Sequence, residues 1–397
     1  MPMIKPLPRL AALLASLASF VAYAAPTTFE LEPGPGWASQ AGGTSGGAAA
    51  AAADIYTVSN RAQLVAALAV PRPKIIRVRG LIDASEGRPF TDHNDQRLRG
   101  QIDVSANTTL IGLGTNAKLI NGWFYLKKVN NVILRNISIQ NPCDVLPVWD
   151  PSDGAAGNWN SEWDGMTIET SSHVWVDHMT FTDGDLTDDL LPIENGKTKQ
   201  CHDGALDIKK ASDYVTVSNS VFENHNKNSL IGSSDSNTGD NGHQTITFNN
   251  NLFRQIGQRA PRVRFAMLHS YNNLFTGSKA HPVYPHSYSI GVGYLAKIYS
   301  QNNVFAIAGA ASCFDVIHNP ASLKGDILDN GSSINGVALD PAQCLNTGSM
   351  GNNVTWMIPY SYSLLPTAQV TKKVMVNAGA GRMAAPSTIS RSIREQP

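Results

Sequence analysis

Charge is scarce in this chain. Only 16% of its 397 residues are Asp, Glu, Lys or Arg, and the two signs balance at 31 each. Without a basic excess the chain is poorly suited to a nucleic-acid partner, so any grip on an anion must be local. Long apolar runs are missing too. Beyond the N-terminus no segment is long enough to cross a bilayer, which excludes a membrane partner. Cysteine is limited to Cys143, Cys201, Cys313 and Cys344, with no CxxC or Cys/His spacing. That argues against a zinc cluster. Helical periodicity is confined to Tyr56 to Leu68, through Ala62, Leu64, Val65 and Leu68.

The first 24 residues read as a secretory signal. Lys5 and Arg9 supply the positive start, Leu10 to Val21 the apolar stretch, and Ala22-Tyr23-Ala24 the cleavage site. Its removal leaves a secreted, soluble chain with a net charge of −2. Four cysteines in an exported protein imply two disulfides, with three possible pairings. If Cys313 and Cys344 close a loop near the C-terminus, Cys143 and Cys201 remain for each other. Residues 25–54 form a Gly/Ala-rich segment without the bulk for a core, expected to lie along the surface. Residues 55–397 are read as a single domain.

What the chain does have is repetition. A nine-residue unit recurs as NVILRNISI (131–139), HVWVDHMTF (173–181), YVTVSNSVF (214–222), TITFNNNLF (245–253), MLHSYNNLF (267–275) and KIYSQNNVF (297–305). Its sixth place holds Asn136, His178, Asn219, Asn250, Asn272 and Asn302, spaced 42, 41, 31, 22 and 30 residues apart. Short β-rich units at such spacing signal a solenoid, the shortest interval being one bare turn and the rest carrying loops. One coil cannot bury its own apolar face, but stacked coils share a core. Asn at the bend tolerates the left-handed conformation, and its amide can satisfy backbone groups there and on adjacent coils. The expected fold is therefore all-β, a parallel β-helix, rather than a sandwich with hairpin turns.

Chemistry-bearing residues fall in or beside the inter-repeat loops. Asp164 precedes the second unit, and Asp203 and Asp207 precede the third. Clustered carboxylates of this kind are candidate ligands for a hard cation. Asp203 and Asp207 would stand about 13 Å apart if fully extended, so sharing one ion is easier if Gly204 bends the chain. Lys227 follows the third unit, and Arg259, Arg262 and Arg264 crowd into six positions. Guanidinium forks suit carboxylates. In a stacked solenoid these loops line up, so the six residues Asp164, Asp203, Asp207, Lys227, Arg259 and Arg264 can converge on one cleft.

The segments WDGMTIETSSHVWVDHMTF, HDGALDIKKASDYVTVSNSVF, IGSSDS and QRAPRVRFA…YNNLF resemble the calcium-dependent pectate lyases of polysaccharide lyase family 1. The similarity runs from Gly36 to the tail around Tyr360 to Met383. It implies a right-handed parallel β-helix whose loops form a substrate cleft, acting on polygalacturonate in the plant cell wall as a monomer. Asp164, Asp203 and Asp207 match the family's calcium ligands, Lys227 and Arg264 its substrate-binding residues, and Arg259 its catalytic arginine. Arg262 matches no catalytic residue, and the VWVDH segment matches a hallmark expected to be structural. The implied reaction is β-elimination, with Arg259 taking the C5 proton. An ordinary guanidinium has a pKa above 12, so that role costs on the order of 5 kcal/mol at pH 8.5. Nearby positive charge lowers the cost, and an alkaline optimum is expected. A metal-free pectin lyase would lack the three aspartates. A glycoside hydrolase would need an acid pair not found here, and a non-catalytic wall-binding protein need not keep Lys227 with both arginines.

Overall fold

Strands stack coil upon coil in three parallel ladders. The computed structural model describes residues 32–320 and 323–383, so the signal segment lies outside the described residues. One ladder has eight strands: Gln101–Asp103, Trp123–Lys127, Met166–Glu169, Leu206–Lys209, Leu230–Ile231, Arg262–Val263, Ile290–Val292 and Ile317–His318. The other two merge into one 18-stranded sheet. They join because Thr108–Ile120 runs round the bend between them, pairing with both Asn130–Arg135 and Ser138–Gln140. The parallel β-helix expected from the repeats is the fold observed.

Each nine-residue unit is a strand of the second ladder, a bend, and the start of a strand of the third. The sixth place is left-handed in every unit, with φ of 58° at Asn136, 49° at His178, 48° at Asn219, 53° at Asn250, 52° at Asn272 and 46° at Asn302. Most residue types resist that region, which explains the recurrent asparagine. The coil-to-coil bonding belongs mainly to the next residue, which the sequence reading passed over. Oδ1 of Asn251, Asn273 and Asn303 accepts from the backbone N–H of Ser220 (2.9 Å), Asn251 (3.0 Å) and Asn273 (2.9 Å) respectively. The bend turns these amides into the fully buried interior, where an unpaired polar group would be costly.

The ninth place completes the core. Phe181, Phe222, Phe253, Phe275 and Phe305 stack with successive ring centroids 4.9, 5.1, 4.8 and 4.6 Å apart. Inward residues from all three ladders join one apolar column. Its N-terminal end is closed by the helix Arg61–Leu68, which buries Leu64, Ala67 and Leu68. That helix is shorter than the predicted stretch. Tyr56 sits in the strand Ile55–Val58, and Asn60 caps the helix by accepting from the Gln63 N–H. At the far end the helix Pro341–Leu345 buries Cys344, bonded to Cys313, while Leu345 and Met350 pack on the core.

Described residues 32–54 of the Gly/Ala-rich segment run along the outside of the stack, with Gly36, Gly46 and Gly47 pressed tightly against it. A Cβ at Gly47 would stand 2.0 Å from the Lys74 carbonyl oxygen, and one at Gly46 2.4 Å from Thr109 Oγ1. Small residues are what allow that approach.

The VWVDH segment lies in the second ladder and is buried. Asp177 accepts from Arg135 Nε (3.0 Å), Ser218 Oγ (2.6 Å) and Asn219 Nδ2 (3.0 Å), and lies 2.7 Å from His178 Nδ1. Burial alone would raise its pKa, but His178, Arg135 and Asn219 outweigh it and hold the group at about 2. A depressed carboxylate stabilises the fold above its unfolded pKa near 3.9, and that contribution fades as pH falls towards 2. Asp177→Asn should cost about 3–5 kcal/mol in urea unfolding at pH 7, since it removes the buried charge that pairs with Arg135. The deficit should shrink at pH 2–3, and an equal deficit at both pH values would refute the role given to the charge.

Candidate active site

All six residues singled out from the sequence lie at or near the edge of the eight-stranded ladder. Asp164 and Asp203 stand just before Met166–Glu169 and Leu206–Lys209, and Asp207 is within the latter strand. Lys227 ends the strand Val221–Lys227, one residue before Asn228 leads into Leu230–Ile231. Arg259 follows Leu252–Gln258, and Arg264 follows Arg262–Val263. Pairing of Thr167 with Asp207, and of Leu230 with Arg262, sets these coils in register.

Gly204 allows Asp164 and Asp207 to meet, and the chain bends at the next residue, Ala205. A Cβ there would stand 2.6 Å from Asp164 Oδ1 and 2.9 Å from Asp207 Oδ1, so only glycine leaves room for both carboxylates. Its N–H donates to Asp164 Oδ1 at 3.1 Å, Thr167 Oγ1 donates to Asp164 Oδ2 at 2.7 Å, and the Leu230 N–H donates to Asp207 Oδ1 at 2.9 Å. Both aspartates are buried. Burial, followed by the charge of Asp164, pushes Asp207 up to about 7. Asp203 keeps 32% of its side chain open to solvent and pairs with Lys227 Nζ at 3.5 Å. Protein still surrounds it closely enough that burial, then Asp164, raises its pKa.

As the side chains stand, no three acidic, His or Cys groups among the described residues are gathered as a ready ligand set. A cation that the sequence reading missed already sits between two of the aspartates. Lys209 Nζ lies 3.2 Å from Asp164 Oδ2 and 3.3 Å from Asp207 Oδ2. Burial opposes its charge, but the two aspartates outweigh burial and raise its pKa. The signal was present in the sequence, because Lys209 lies two strand positions after Asp207 and so shares its face. The cluster is nonetheless an oxygen-rich, carboxylate-lined cradle that needs positive charge, which suits a hard divalent cation.

The three arginines separate by their partners. Arg259 is held in the left-handed region at φ 61°, its carbonyl accepting from Ser229 N–H at 2.7 Å. Its buried Nε, like that of Arg262, has no protein partner. Arg262 lies in the ladder beside Gly291, whose missing side chain leaves it space. Burial, then the charges of Arg264 and Arg259, lower its pKa. Arg264 is engaged instead, donating through Nε to Asp235 at 2.6 Å and through Nη1 to the Gly232 carbonyl at 3.3 Å. Asp235 belongs to IGSSDS, whose part in orienting Arg264 was not legible from the motif alone.

A buried network braces this corner. Asp183 accepts from Tyr284 Oη (2.9 Å) and Asn141 Nδ2 (2.9 Å) and pairs with His225 Nδ1 (2.7 Å). The other nitrogen of His225 meets the Lys227 carbonyl at 3.1 Å, which fixes the backbone under that lysine. Cys143 is bonded to Cys201, tying the loop before Asp164 to the one before Asp203. A cavity of about 940 Å³ lies upstream on the same ladder, between Arg61, Tyr125 and Lys127, and is lined by none of the six residues.

A family model described as pectate lyase matches residues 8–383. The chain belongs to the pectate lyase family. It is 43% identical over 384 residues to pectate lyase A of Dickeya chrysanthemi, covering 94% of this chain and 95% of that protein. It is 37% identical to a pectate lyase of Bacillus subtilis (strain 168), covering 88% of this chain and 92% of that one. Among solved structures, the thermostable pectate lyase PL 47 superposes with a TM-score of 0.84 at 36% identity, covering 89% of this chain and 98% of that chain. A pectate lyase bound to a hexasaccharide gives 0.83 at 35% identity, covering 91% and 99%. Pectate lyases are polysaccharide lyases, and that is the class of this enzyme. Among the described residues no helix is long and apolar enough to cross a membrane.

The geometry makes Gly204 indispensable to the aspartate pair. Gly204→Ala should cut lyase activity at least tenfold with an unchanged far-ultraviolet circular dichroism spectrum. Full activity in that variant would show that the two carboxylates need not share this space.

Proposed function

We propose that the chain is a secreted, calcium-dependent enzyme that cleaves α-1,4-polygalacturonate by β-elimination, leaving 4,5-unsaturated ends. The observation that carries this reading is one corner of the stack holding both a crowded aspartate pair and arginines with unpartnered donors. Both features suit a polyanion: the arginines can bind its carboxylates directly, and the aspartates can hold a cation that does so. A rigid ladder also presents its groups at a spacing of about 4.8 Å per coil, as a linear polymer requires.

Asp164, Asp203 and Asp207 are the residues that would hold calcium, which when bound would draw charge from a substrate carboxylate and so acidify the adjacent C5 proton. Lys227 and Arg264 bind and orient that carboxylate, with Asp235 fixing the plane of the Arg264 fork. Arg259 faces the C5 proton and removes it, while the bond to O4 breaks and the electron pair leaves with the departing sugar. The base role requires the neutral form of a guanidine, which places the optimum on the alkaline side. Export follows from residues 1–24, and residues 55–397 then act as one catalytic unit.

Incubation with polygalacturonate and calcium should raise ultraviolet absorbance from the unsaturated product, and EGTA should abolish the rise. No rise with calcium present would defeat the lyase chemistry, and a rise insensitive to EGTA would defeat the calcium requirement. Arg259→Lys should lower kcat at least a hundredfold while binding of oligogalacturonate stays within a few-fold. Near-normal turnover would remove Arg259 from the base role.

A further inference from the structure

Asp164 and Asp207 stand together at this corner, both buried and within the field of Asp203, and mutual repulsion should drive them apart without a counter-charge. Two side chains supply it. Lys227 neutralises Asp203, and Lys209 bridges Asp164 and Asp207. The Oδ1 atoms of the bridged pair are already occupied, by the Gly204 and Leu230 N–H groups. Lys209 holds the two Oδ2 atoms, with Thr167 Oγ1 also on that of Asp164. A divalent cation joining the two aspartates would therefore need the oxygens that the ammonium now holds. Lys209 has a way out, since 24% of its side chain reaches solvent on a flexible four-carbon stem.

We propose that Lys209 is a tethered stand-in for calcium: it holds Asp164 and Asp207 together in the metal-free protein and withdraws when the metal binds. The proposal rests on the calcium reading above and adds to it a competitor built into the chain. Such a competitor has two opposite effects. It stabilises the metal-free fold, and it weakens the apparent affinity for calcium, because each binding event must first displace an ammonium. The enzyme would then load calcium only where the free ion is plentiful, and would survive without it elsewhere.

The test is calorimetric titration of the full chain with calcium at pH 8, paired with thermal unfolding in EGTA. Lys209→Met should bind calcium about tenfold more tightly than the wild type, melt several degrees lower in EGTA, and gain more in Tm on adding calcium. Lys209→Arg keeps the charge and should stay near the wild type in both measurements. If Lys209→Met fails to fold, Lys209→Gln allows the same comparison while retaining a donor to the carboxylates. Unchanged or weaker calcium binding in the neutral variant, beside measurable binding in the wild type, would overturn the stand-in role alone. No calcium binding by wild type and neutral variant alike would overturn the calcium reading and this inference together.

Discussion

The structure depends on closing each coil over the one before it in strict register. The closure is enforced at one bend, where the sixth residue of the unit turns left-handed and the seventh turns inward. From that point the buried amides repeat along the stack, and the phenylalanines two places later do the same. Polar and apolar columns reinforce each other here. The asparagine hydrogen bonds admit one register, and the aromatic column makes that register the well-packed one. A slip of one residue would point every inward side chain outward.

A stack so constrained leaves its corners free. The loops between the third ladder and the first differ in length from coil to coil, and several of them carry charged residues. Residues from four successive coils thus reach one place without distorting the strands beneath them. The site is held from below by rigid strands and from the side by the Asp183–His225 network and the Cys143–Cys201 bond. What remains adjustable is electrostatic. The corner is crowded with both signs, and each carboxylate is met by an ammonium or a backbone N–H.

Much of this was legible in the sequence because the repeat has a physical cause. The asparagine column, the alternation of its flanking strands and the six site residues all follow from the stacking logic and from the family resemblance. The seventh-position ladder was harder to see, because Ser220, Met179 and Ile137 interrupt it and only three coils share the asparagine. Gly204 was noticed only as a place where the chain could bend, and the room that its missing side chain leaves for Asp164 and Asp207 was not foreseen. Lys209 escaped notice because a lysine beside a ligand motif reads as a solvated neighbour, and only strand parity combined with the previous coil's Asp164 reveals the bridge. Partnerships between coils have no sequence spacing to betray them.

The closed ends of the column have a consequence of their own. Coils that share an interior have no intrinsic reason to stop adding, since each exposed end presents the same unsatisfied edge as the last. An open column would offer that edge to another copy and grow into a fibre. The helix Arg61–Leu68 at one mouth and the disulfide-anchored helix Pro341–Leu345 at the other end this growth. They give the stack two ends that differ from its middle.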